Sequence, residues 1–104
     1  MKFVLCTGRD PLLLTTRALI LHNAGFATDL ALGTQAAMAA LLARHYEAIV
    51  LCHSFTEQEL SLLHDYSSEN APWTQVLDLK SLEDGLLYSP LNFILTVESQ
   101  TRCA

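Results

Sequence analysis

Residues 47–52, EAIVLC, are apolar without a break from Ala48 to Cys52. A strand with one face in water alternates apolar and polar residues, whereas a strand covered on both faces does not. This run therefore reads as the central strand of a parallel sheet. Parallel neighbours can be joined only by crossovers of about a dozen residues, usually helices, so the rest of the chain must supply alternating helices and strands.

It does so from the first residues. KFVLCT is a short apolar run bounded by Gly8, as in a buried strand. RDPLLLTTRALILHNAG follows with Asp10 as N-cap, Pro11 at the first helical position and Gly25 where a left-handed residue ends a helix. Leu14, Ala18 and Leu21 share one face of that helix. Phe26 to Ala31 reads as a second strand, and Gly33 breaks it before TQAAMAALLARHY. There Ala37 and Leu41, and Met38 and Leu42, recur at helical spacing. After the central strand, Thr56 and Glu59 stand at capping-box spacing and start a third helix near Phe55. Pro72 stops that helix, and TQVLDL is a fourth, weaker strand.

Alternation with short connections predicts an α/β chain with an open parallel sheet, helices on both faces and right-handed crossovers. At 104 residues it reads as one domain, residues 1–104. Only about six residues, Lys80 to Gly85, separate the fourth strand from LLYS, too few for a crossover helix. A fourth helix is therefore expected to be shortened or absent, or LLYS is not a parallel strand. Ser89-Pro90 then reads as the start of a last helix, LNFILTVESQ.

Charge excludes several classes of partner. Six Lys plus Arg against eleven Asp plus Glu give a net charge of -5, so there is no basic patch for nucleic acid or for an anionic membrane. No stretch approaches the roughly 18 apolar residues of a membrane helix. The opening MKFVLC is too short for a signal-peptide core, so the chain reads as cytoplasmic from its first residue. Three widely spaced cysteines (Cys6, Cys52, Cys103) form neither a disulfide framework nor a zinc knuckle, and they read as reduced thiols.

The order of these stretches resembles the receiver domain of two-component response regulators. DPLLLTTRALILHNAGF looks like the receiver's first helix, and DLALGTQAAMAALLARHYEAIVL resembles its second strand, second helix and third strand. LLYSP is similar to the end of the fifth strand, where receivers carry Lys-Pro. The resemblance implies a flavodoxin-like fold. It also implies a pocket with an acceptor Asp after the third strand, an acid pair after the first for Mg²⁺, and a Lys before the Pro. At those positions this chain has Cys52, Thr7 with Gly8, and Ser89, and only Pro90 matches. A hard cation needs oxygen ligands, so no metal or other cofactor is expected, and no enzyme activity. The expected function is that of a non-phosphorylated, receiver-like interaction module of bacterial signal transduction, in the phosphorelay family. An Asp introduced at position 52 would then be an unpaired carboxylate near a core strand, expected to lower stability by roughly 1–3 kcal/mol.

A different reading stays open. Cys52 with His53, and Cys6 on the neighbouring strand, would be a thiol or soft-metal site with a redox- or metal-sensing role. Adjacent strand residues point to opposite faces, and a fourth zinc ligand is not evident. His22 and His45 read as cations in the last turns of the first and second helices, and His64 as a boundary residue. There is no hydrolase arrangement of Ser, His and acid, and no Gly-rich phosphate loop.

The chain is 51% apolar and only 16% charged, which favours self-association. Leu91, Phe93, Ile94, Leu95 and Val97 spread too widely around a helix for one buried stripe. In the family that this chain resembles, the face containing the fifth strand is a common dimerisation surface. A two-fold homodimer through the carboxyl-terminal third is expected, with Phe93, Ile94 and Val97 as contacts; the identity of any other protein partner is not written in the sequence.

Overall fold

The computed structural model describes residues 3–52 and 55–78. Their elements run β1 (Phe3–Gly8), α1 (Pro11–Asn23), β2 (Ala27–Leu32), α2 (Thr34–Ala43), β3 (Ala48–Leu51), α3 (Glu57–Asn70) and β4 (Gln75–Asp78). All strand pairs are parallel, in the order β2-β1-β3-β4. This is the open, doubly wound sheet of a flavodoxin-like fold, as the sequence pattern requires. The shortened fourth helix, the strand after Gly85 and the last helix lie outside the described residues.

The alternation of side chains along β1 and β3 divides the core in two. Val4, Cys6, Ala48, Val50 and Cys52 face α1, where they meet Leu14, Ala18 and Leu21. Leu5, Ile49 and Leu51 face the other way, onto Ala37 and Leu41 of α2 and Leu60 and Leu63 of α3. All four β3 residues are buried, which is why this strand shows no polar alternation.

The helix ends follow their local chemistry. The Asp10 carboxylate accepts from the N–H groups of Leu12 (3.1 Å) and Leu13 (3.4 Å), and Pro11 opens α1. Gly25 takes φ 99° just past its end, in the left-handed region that glycine tolerates. Thr56 and Glu59 form the expected capping box at α3.

Two expectations need correction. The helical run after Gly33 stops at Ala43 and does not reach Tyr46, because residues 44–46 make tertiary contacts that helical geometry would forbid. Arg44 is extended and lies 4.4 Å over the Phe3 ring. Tyr46 is buried and donates to Asp29 at 2.6 Å. His45 consequently serves no helix end and stacks on Trp73 at 5.3 Å. Leu42 is 66% exposed, so its four-residue spacing from Met38 marks a helix without marking its buried face.

Candidate functional site

The carboxyl edge of β1 and β3 brings Thr7, Gly8 and Cys52 side by side. The Cys52 N–H donates to the Thr7 carbonyl at 3.0 Å, and the Gly33 N–H donates to the Gly8 carbonyl at 2.9 Å. This end of β1 is therefore tied to strands on both sides. The Phe55 N–H reaches back to the Cys52 carbonyl at 3.3 Å. Phe55 is 1% exposed in the α2/α3 core. His53 lies outside the described residues, as do Ser89, Pro90, Phe93, Ile94 and Val97.

The Thr7 hydroxyl has its own use. It is fully buried and donates to the Val50 carbonyl at 2.8 Å. Thr7 shares the parity of Leu5, which faces α2 and α3, whereas Cys52 belongs to the α1 face. The two side chains do not converge on one point.

Cys52 and Cys6 do share a face, together with a residue that the sequence reading passed over, Arg17 of α1. Arg17 is only 6% exposed, and its Nη1 is buried without a hydrogen-bond partner. Burial raises the Cys52 thiol above its ordinary pKa. The Arg17 guanidinium opposes this as a nearby charge and as a hydrogen-bond donor, while Asp10 adds a small push upward. Cys6 is pushed up to about 12, first by burial, then by Cys52, with Arg17 again opposing. A signal for Arg17 was present in the sequence. It stands three residues after Leu14 and four before Leu21, within the apolar stripe of α1.

These shifts predict inert thiols, since the thiolate is the nucleophile. Cys6 and Cys52 should resist maleimide at neutral pH in the native protein and react fully in denaturant. Fast native labelling of Cys52 would restore the thiol-site reading. Among the described residues no group of three or more His, Cys, Asp and Glu side chains is placed to hold a metal ion. Asp10, just after β1, is engaged as the cap of α1.

Across the mouth of this edge, Arg9 of the β1–α1 loop pairs with Glu59 at the start of α3. The hydrogen bond from Arg9, helped by the Thr56 N–H, holds the Glu59 carboxyl down at about 2. A carboxyl with a depressed folded-state pKa stabilises the fold fully above its unfolded value of about 4.3. That contribution is lost as pH falls from there towards about 2. Acid titration of stability should therefore be shallower in Glu59→Gln than in wild type across this window, and the two curves should run parallel at neutral pH.

Comparison with known proteins adds to the geometry. No family model matches the chain, and no curated protein matches it. Among solved structures, it is similar to a CheY-like response regulator receiver domain protein from Methanospirillum hungatei JF-1. The TM-score is 0.79 at 13% identity, over 98% of this chain and 94% of that one. It is also similar to a two-component response regulator from Clostridium difficile, with TM-score 0.61, 16% identity, and coverage of 98% and 97%. At such identities the likeness establishes the fold. Among the described residues no helix is long and apolar enough to cross a membrane.

Proposed function

We propose that this protein is a receiver-like module of bacterial signal transduction that has lost phosphoryl chemistry and works by binding other proteins. One observation carries the reading. The strand end where receivers carry the acceptor carboxylate holds a buried thiol, Cys52, beside Thr7 and Gly8 in place of an acid pair. Phosphoryl transfer depends on positioned metal and charge around the phosphoryl oxygens. Here the Thr7 hydroxyl is spent on a backbone carbonyl and the Asp10 carboxylate on a helix cap. Ser89 stands in the sequence where the family's Lys would neutralise a phosphoryl oxygen. The fold remains intact without this chemistry, so its surfaces remain available to partners.

The reading includes a two-fold homodimer through the carboxyl-terminal third, supported by the apolar spread of Phe93, Ile94 and Val97 in the sequence. Sedimentation should show a dimer at micromolar concentration. Phe93→Asp and Val97→Asp should shift it towards monomer or insolubility, and a soluble wild-type monomer across that range would remove this surface from the account.

A further inference from the structure

The edge of the sheet at β2 has the chemistry of a second interface. Among the described residues β2 is paired on one side only, to β1. The Gly33 N–H points to β1, where it meets the Gly8 carbonyl. Backbone groups alternate along a strand, so those of Ala27, Asp29 and Ala31 point to β1 as well. Thr28, Leu30 and Leu32 therefore turn both N–H and C=O outward. Their side chains share one face of the sheet, opposite to that of buried Ala31, and Leu30 and Leu32 are 50% and 53% exposed.

Edge strands are commonly blunted by Lys, Pro, a bulge or an inward charge. The β2 sequence ATDLAL contains neither Lys nor Pro. Its one charge, Asp29, is occupied within the chain by the Tyr46 hydroxyl at 2.6 Å and by Arg44 at 3.4 Å. In a protein of net charge -5, this edge is a place where two copies can approach without like charges meeting.

We infer that the outer edge of β2 pairs antiparallel with β2 of a second copy, about a two-fold axis at Leu30. The register closes on itself. Leu30 faces Leu30 of the other copy as a hydrogen-bonded pair, and Thr28 faces Leu32, so every outward donor on the strand meets an outward acceptor. Asp29 falls opposite Ala31 of the other copy, which keeps the two carboxylates from direct opposition. Leu30 and Leu32 of both copies line one face of the joined sheet and cover one another. At the micromolar concentrations where sedimentation reads the proposed carboxyl-terminal dimer this contact is populated only transiently, and a covalent cross-link traps it.

The test is cross-linking in a Cys103→Ser background. Opposed residues of a hydrogen-bonded antiparallel pair have Cα atoms about 5.5 Å apart, within reach of a disulfide or a short bismaleimide. Leu30→Cys should give covalent dimers at least ten times faster than Leu12→Cys, which is more exposed (79%) but lies on α1. Phe93→Asp should leave that cross-link intact, and adding Leu32→Lys to Leu30→Cys should abolish it. Equal rates for the Leu30 and Leu12 variants, or an unchanged cross-link with Leu32→Lys, would overturn the inference.

Discussion

Cys52→Asp should cost about 1 kcal/mol or less while Arg17 is present, and about 3–5 kcal/mol once Arg17 is replaced by Met. The difference arises because position 52 is buried next to a guanidinium. A carboxylate there gains a charge-assisted hydrogen bond that offsets much of its desolvation. Without Arg17 the same carboxylate is an isolated charge in an apolar core. Arg17→Met alone should leave stability unchanged or raise it, because it removes a buried N–H that has no acceptor. A double-mutant cycle in urea should therefore report a coupling of at least about 2 kcal/mol between positions 17 and 52. The sequence reading, which saw the new carboxylate as unpaired, expects the loss regardless of Arg17. Additive effects would favour that simpler view.

Phe55→Ala should cost about 3–5 kcal/mol, a large part of the roughly 5–15 kcal/mol that holds a domain together. Phe55 is among the largest fully buried side chains, and its ring packs in the α2/α3 core three residues after Cys52. The same truncation at Leu42, which is 66% exposed, should change stability by no more than about 0.5 kcal/mol. The Phe55 variant should also label faster at Cys52, since a less stable fold opens more often and the Phe55 N–H is bonded to the Cys52 carbonyl. A large loss of stability with unchanged labelling would separate Phe55 from the thiol's protection.

Much of the described fold was legible because its signals are local. Asp10, Pro11, Gly25 and the Thr56 and Glu59 pair mark helix ends by chemistry that acts within a few residues. The unbroken run from Ala48 to Cys52 announces a strand covered on both sides. What the sequence hid is long-range. α2 stops at Ala43 because Tyr46 reaches Asp29 and Arg44 reaches Phe3, partners that lie 17 or more residues away in the chain. His45 looks like a helix-end cation until Trp73 is placed against it.

The site divides in the same way. That Thr7, Gly8 and Cys52 lie together could be read from the sequence, because each occupies the end of a strand whose apolar run is legible. Arg17 could not be weighted by that route. Its importance depends on which face of α1 meets the sheet and on the two thiols waiting there. Helical arithmetic would have placed it among Leu14, Ala18 and Leu21. A long basic side chain usually escapes such a stripe by extending to solvent, but this one stays buried.

The central claim is that the edge formed by Thr7, Gly8 and Cys52 no longer takes up a phosphoryl group. The direct measurement is the intact mass of the wild-type protein after incubation with acetyl phosphate and Mg²⁺. An unchanged mass is predicted, because the end of β3 holds a buried thiol and no described acid is grouped with others to hold a metal ion. Gain of a phosphoryl group by the wild type, lost in Cys52→Ser, would contradict the account.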